Sequence, residues 1–142
     1  MQNTLNTAVS FVGVGLHTGQ SVRMTVMPAP ADHGIWFRRT DILAGDTGLR
    51  ADIPAIWSAV TPSRLCTVVE NADGVSVSTI EHLTAAMAGV ALHNALIEID
   101  GGEVPILDGS AEPFVQAFLA AGLQEQDAEI RAVRVLKAVE VR

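Results

Sequence analysis

VSTIEHLTAAMAGVALHN, residues Val77–Asn94, is the stretch whose reading decides the fold. It reads as the end of a strand, a helix, and the entry to a second strand. Ile80, Leu83, Met87 and Val90 recur at spacings of 3, 4 and 3, the period of one helix face, which predicts a helix from about Thr79 to Val90. Ala85, Ala86 and Ala88 fill the remaining faces, so this helix can pack on more than one side. Gly89 weakens its end. Glu81 and His82 stand side by side in its first turn, and two readings of that pair are open. A carboxylate beside an imidazole can act as a general base next to a metal ligand. Alternatively, Ser78 and Glu81 fit the S/T-x-x-E capping box, with Glu81 reaching back to an orphan backbone N–H. Pattern alone favours the box.

Downstream, Asn94–Asp100 (NALIEID) is a nearly continuous apolar run, expected at the centre of a sheet. Gly101-Gly102 turns the chain, and Glu103–Leu107 reads as a short strand. Ser110 is placed to cap a second helix whose first turn tolerates Pro113. Its predicted buried stripe is Phe114, Val115, Phe118 and Leu119, and Gly122 ends it. Gln124–Glu129 reads as a polar linker and Ile130–Arg142 as a strand.

Upstream, Arg64–Glu70 (RLCTVVE) and Val75–Val77 flank the turn Asn71-Ala-Asp-Gly74, a hairpin. Cys66 then falls in mid-strand, where a small buried hydrophobe is the default reading. Thr7–Val14 and Ser21–Met27 read as strands. Gly34–Arg39 reads as another, antiparallel to Ser21–Met27 through the turn PAPADHG. Leu43–Ile53 reads as loop, and Pro54 and Pro62 leave room only for a short helix between them. Gly13, Gly15 and Gly19 surround Leu16-His17-Thr18. Such a density of glycine implies unusual backbone angles or close approach by another group. No G-K-[ST] follows, so this is not a phosphate loop.

The expected fold class is α+β: a two-layer sandwich, one mostly antiparallel sheet with two helices packed on one face. Hydrophobic residues make up 49% of the 142. No apolar run approaches the roughly 18 residues of a membrane span. The apolar surplus suits burial against a partner or a second copy. A net charge of −7 with nine Lys and Arg shows no basic stripe for nucleic acid. The N-terminus lacks a secretory pattern, and the single Cys excludes an internal disulfide framework. A cytoplasmic protein is expected.

Spacing alone carries no complete catalytic site. H-E-x-x-H is absent, because position 86 is Ala. G-x-S-x-G is absent too. The stretches GVGLHTG (Gly13–Gly19), MPAPADHGIWFRRTD (Met27–Asp41), LCTVV (Leu65–Val69), VSTIEHLTAAMAGV (Val77–Val90), HNALIEID (His93–Asp100) and EVPILDGSAEPF (Glu103–Phe114) occur in this order across nearly the whole chain. Together they resemble LpxC, the zinc-dependent UDP-3-O-acyl-N-acetylglucosamine deacetylases of lipid A biosynthesis. The resemblance implies the first of two α+β domains that sandwich their helices between two sheets, with the active site at the junction. It implies His82 as the zinc ligand of this domain and Glu81 as the general base. Leu65 and Cys66 would border the substrate near the metal, His17 would match a glycine-turn histidine near the substrate, and Asp108 an orienting carboxylate behind the site.

One departure qualifies the resemblance. The family takes its other zinc ligands from an H-x-x-x-D helix of the second domain, together with a further His as general acid. The four His here are followed four residues later by Ser21, Phe37, Ala86 and Ile97. The expected division is therefore a first domain over residues 1–128 and a terminal strand over 129–142, where the second domain would begin. The isolated chain is expected to be inactive, carrying half of the site and one zinc ligand. Its substrate, once completed, would be of the UDP-3-O-acyl-glucosamine type. The alternative is a non-catalytic relative that works as a homodimer or with a partner protein through its helix faces.

Overall fold

The computed structural model describes residues 1–141. The centre is a five-stranded sheet ordered β2-β3-β9-β4-β5. It comprises β2 (Val9–Val14), β3 (Ser21–Pro28), β4 (Ile35–Arg39), β5 (Asp52–Pro54) and β9 (Ala95–Ile99). A three-stranded sheet joins β6 (Val60–Thr61), β7 (Val68–Glu70) and β8 (Ser76–Ser78). A ribbon pairs β1 (Gln2–Leu5) with β10 (Leu123–Gln126). The helices are α1 (Thr40–Ala44), α2 (Glu81–Gly89) and α3 (Glu112–Ala121), with a single 3₁₀ turn at Trp57–Ala59. This is the expected α+β class, with a third, short helix and the strands divided among three sheets.

Alternation along the strands makes one face of the central sheet apolar. Val22, Met24, Val26, Phe37, Ile53, Ile97 and Ile99 join Leu83, Met87, Phe114 and Phe118 in one buried cluster. Arg23, Thr25 and Glu98 alternate with them on the opposite face. Phe11 meets Phe114 edge-on at 4.9 Å between ring centroids, and α2 packs against α3. The helix stripes are thus consumed by the chain's own sheet. Leu119, counted in the stripe from sequence, is 56% exposed: α3 presents Phe114 and Phe118, four apart, to the core and turns Leu119 away.

Several boundaries differ from those expected. Gly34–Arg39 does not pair with Ser21–Met27; β9 lies between them, antiparallel to β3 and parallel to β4. The segment PAPADHG is too long for a tight hairpin, and the apolar β9 takes the central place. Glu103–Leu107 forms only a single bridge, Glu103 to Ser78. The segment read as a polar linker holds all of β10 but its first residue, Leu123. Cys66 is not in a strand: β7 begins at Val68, where its pairing with Thr61 begins, so Leu65 and Cys66 belong to the preceding loop. Residues 129–141 form no strand, since no sheet edge among the described residues pairs with them. Arg142, the last residue of that predicted strand, lies outside the described residues.

Candidate active site at the head of α2

The chain leaves β8 along Gly102–Val104. Ser78 N–H donates to the Gly102 carbonyl at 2.9 Å, and Val104 N–H donates to the Ser78 carbonyl at 3.1 Å. Thr79 then adopts φ +57°, a left-handed conformation that is a genuine outlier for a β-branched residue. This kink sets where α2 starts. Its N-cap is Ile80, which makes Glu81 the first helical residue and not the third. A capping box needs Glu at the third position, so the S-x-x-E spacing is out of register and the box does not form. The Ser78 hydroxyl donates to the Gly102 carbonyl instead.

Glu81 is thereby freed for another partner. Its Oε2 accepts the backbone N–H of Thr67 at 3.0 Å, and Ile80 N–H donates to the Thr67 carbonyl. The loop carrying Leu65 and Cys66 is pinned to the head of the helix at this one residue. Leu65 is 78% exposed. Cys66 is half-buried, its Sγ 3.6 Å from Ser63 Oγ. Glu81 and His82 are both half-exposed. Among the described residues the His82 imidazole has no hydrogen-bond partner.

His17 reaches the same neighbourhood from the glycine turn. Its Nδ1 lies 2.9 Å from Glu103 Oε1 and 3.2 Å from Thr79 Oγ1, two residues ahead of Glu81. Glu103 is only 2% exposed. It accepts the backbone N–H groups of His17 and Thr18, and the Thr79 hydroxyl donates to it at 2.8 Å. Burial pushes its pKa up, but these hydrogen bonds outweigh burial and hold the carboxyl at about 2. Glu103, Thr79 and the Thr67 amide were not singled out from sequence. The glycines did signal a close approach, and its identity is now plain. A Cβ on Gly15 would sit 2.3 Å from Glu103 Oε2, and one on Gly13 would sit 3.0 Å from Pro105.

Asp108 stands apart. It is exposed, and its Oδ1 accepts the Ser110 N–H and hydroxyl, bonds that lower its pKa. Ser110 in turn accepts the Glu112 N–H at 3.2 Å, supporting the start of α3 one residue ahead of the N-cap, Ala111. Among the described residues no hydrogen bond links Asp108 to Glu81, His82 or His17. A groove of about 680 Å³ lined by Trp36, Arg38, Asp52 and Ile56 also lies elsewhere.

A family profile described as LpxC, UDP-3-O-acyl N-acetylglycosamine deacetylase, matches residues 2–142. The chain belongs to the LpxC family. Proteins named UDP-3-O-acyl-N-acetylglucosamine deacetylase are similar to it throughout. One from Pseudoalteromonas atlantica is 45% identical over 99% of this chain and 45% of its own length. One from Idiomarina loihiensis is 46% identical over 99% and 44%, and one from Vibrio vulnificus 45% identical over 97% and 44%. The chain spans less than half the length of these LpxC relatives.

The LpxC match covers the α2 head and the glycine turn alike. A catalytic zinc takes three protein ligands and one open position. Among the described residues no three His, Cys, Asp or Glu side chains converge as ligands. Among the described residues the donors present, with His82 at the head of α2, do not complete such a shell. Among the described residues no helix is long and apolar enough to cross a membrane.

Proposed function

We propose that this chain carries one wall of a UDP-3-O-acyl-N-acetylglucosamine deacetylase centre, and that the opposite wall comes from outside these 142 residues. The observation that carries the reading is the pair at the head of α2. Glu81 is fixed by the Thr67 amide, and beside it His82 is half-exposed and without a protein partner among the described residues. Family membership supplies the chemistry that such a pair would serve.

In this reading Glu81 is the general base. It takes the proton of the water that attacks the acetamide carbonyl. The Thr67 N–H holds one carboxylate oxygen and leaves the other to accept that proton. His82 contributes one ligand to the family's zinc, which supplies water activation and oxyanion stabilisation when bound by a full ligand set. Leu65 and Cys66 border the substrate, His17 contacts it from the glycine turn, and Asp108 shapes the turn behind the site. The Val-rich residues 129–142 pair as a strand once a second domain offers a sheet edge. The setting is the cytoplasm, and the chain alone is inactive.

A second reading is a non-catalytic module that pairs with a copy of itself or with a partner protein. The exposure of Ala85 and Ala88 on α2 favours it, because small residues allow close helix approach. One experiment separates the two. The purified chain is mixed with zinc and the separately expressed second half of the Pseudoalteromonas atlantica relative. Acetate release from UDP-3-O-acyl-N-acetylglucosamine is then followed. Turnover is expected only in the mixture, and Glu81→Gln or His82→Ala abolishes it. An inactive mixture, with the chain sedimenting as a dimer, supports the second reading. Turnover by the chain alone overturns the half-site.

A further inference from the structure

We propose that Glu103 is a positioning residue: its buried carboxylate holds the Thr79 kink that presents Glu81 and His82. The proposal rests on the deacetylase reading for its consequence in turnover, but not for its structural part.

Four observations converge on it. Glu103 is 2% exposed, so its charge must be fully partnered. Both its oxygens are occupied, one by the backbone N–H of Thr18 and the other by the His17 N–H, the His17 ring and the Thr79 hydroxyl. Thr79 is itself 2% exposed and held at φ +57°. A β-branched residue keeps that conformation only where its surroundings over-determine it, at a cost on the order of 1–3 kcal/mol. Among the described residues the bond to Glu103 is the one side-chain hydrogen bond of Thr79, apart from the longer contact to His17.

The consequence follows from register. The kink makes Ile80 the N-cap and Glu81 the first helical residue, and that register aims the Glu81 carboxylate at Thr67. Were Thr79 to relax to a helical φ, α2 would extend by two residues, to a start at Thr79 with Ser78 as its N-cap. Glu81 would then stand at the third helical position of a capping box, and its carboxylate would turn back on its own helix. Glu103 thus selects between two uses of Glu81, as a helix cap or as a free base. Gly15 belongs to the same device, since only a residue without Cβ leaves space for the Glu103 carboxylate.

The test has an arm independent of catalysis. Hydrogen exchange of the Thr67 amide is measured in the full chain and in Glu103→Gln, Thr79→Val and Thr79→Ser. Valine keeps the β-branched strain and removes only the hydroxyl; serine keeps the hydroxyl. Thr67 exchange is expected to rise about tenfold or more in Glu103→Gln and Thr79→Val, with Thr79→Ser like wild type and amides of β3 and β9 unchanged. Wild-type exchange at Thr67 in a folded Glu103→Gln or Thr79→Val overturns the proposal. If Glu103→Gln does not fold, the valine and serine pair decides. In the second arm the variants are assayed in the complemented mixture. There kcat is expected to fall roughly 10- to 100-fold with KM little changed, as for a small misplacement of a catalytic group, and Thr79→Ser restores it. Slowed turnover without faster Thr67 exchange, or the reverse, also overturns the proposal. If the wild-type mixture shows no turnover, the deacetylase reading fails, and the exchange arm still decides the role of Glu103.

Discussion

Glu81 and Thr67 are joined by a hydrogen bond of 3.0 Å from the backbone N–H of the loop to the carboxylate of the helix. The bond spans 14 residues of sequence and links α2 to the loop of Leu65 and Cys66. A carboxylate committed to its own helix terminus could not also serve a substrate. One committed to a neighbouring loop through one oxygen can.

This relationship separates stability from activity at Glu81. Glu81→Gln keeps an oxygen for the Thr67 N–H, so the unfolding free energy from urea denaturation should stay within about 0.5 kcal/mol of wild type. Glu81→Ala leaves that N–H without its partner and should cost about 1 kcal/mol more. In the complemented mixture both substitutions should lower turnover by roughly 10²- to 10⁴-fold, the usual worth of a general base. Parallel denaturation and rate measurements check the split.

The glycine turn gives a steric prediction. A Cβ at Gly15 meets Glu103 Oε2 and Thr18 Oγ1 at 2.3 Å each. The carboxylate could swing aside only by breaking the bonds that satisfy a buried charge. Gly15→Ala should therefore cost roughly 1–3 kcal/mol or more. Gly19 has φ +64° but nothing within 4 Å of an added Cβ. Gly19→Ala should cost only the left-handed strain, about 1 kcal/mol. Urea denaturation of the two variants should rank Gly15→Ala as the more damaging.

The contrast between helix and ribbon explains what could be read in advance. The helix stripe Ile80, Leu83 and Met87 and the apolar run of β9 carry the period of their burial, so the central layers were legible. Pairing order was not. Nothing local in Gly34–Arg39 says that β9, some sixty residues on, will slot between it and β3. The β1–β10 ribbon was missed because its sequences, QNTL and LQEQ, are held by side-chain amides and not by an apolar stripe. At the site, Glu81 and His82 were visible as a pair and by resemblance. Their orientation depends on the Thr79 kink and on Glu103, residues with no periodicity to betray them. Leu119 fitted the apolar stripe of α3 by composition, yet it faces outward. Phe118→Ala should cost about 3–5 kcal/mol, and Leu119→Ala about 0.5 or less.

Acid should unfold the protein partly through Glu103. Its folded pKa is depressed, from 4.5 to about 2. A depressed carboxylate contributes stability that is fully present above its unfolded pKa and is lost as pH falls toward the folded value. The window therefore runs from about pH 5 down to about pH 2, and the contribution is on the order of 3 kcal/mol. Asp41, Asp52 and Asp108 are lowered as well, through Arg39, Arg38 and the Ser110 amide respectively, so wild type alone cannot apportion the loss. Glu103→Gln should be less stable than wild type at pH 7, and the gap should close as the pH approaches 2. A gap that is constant with pH would exclude Glu103 as the titrating group.

The ribbon is fastened through one buried amide, Asn94, which is 1% exposed. Its Nδ2 donates to Gln2 Oε1 and Gln126 Oε1 at 2.7 Å each, and its Oδ1 accepts the Gly34 N–H at 2.8 Å. Both strands of the ribbon and the entry to β4 thus meet on a single side chain. Truncation leaves two half-buried partners, Gln126 Oε1 and the Gly34 N–H, with nothing to bond, while Gln2 Oε1 keeps the Asp32 N–H; each orphaned group costs about 1–3 kcal/mol. Asn94→Ala should therefore lower stability by roughly 2–4 kcal/mol, more than most surface or strand substitutions. Asn94→Asp should be no better: a carboxylate cannot donate to either glutamine oxygen, and its charge is buried without a counter-ion. The loss should be local before it is global. Amides of Gln2–Leu5 and Leu123–Gln126 should exchange faster in Asn94→Ala while those of β3 and β9 keep their protection, because this amide ties both ribbon strands to the sheet, leaving the Thr4 hydroxyl, the Asn3 carbonyl and the Gln126 amide to hold the ribbon in place.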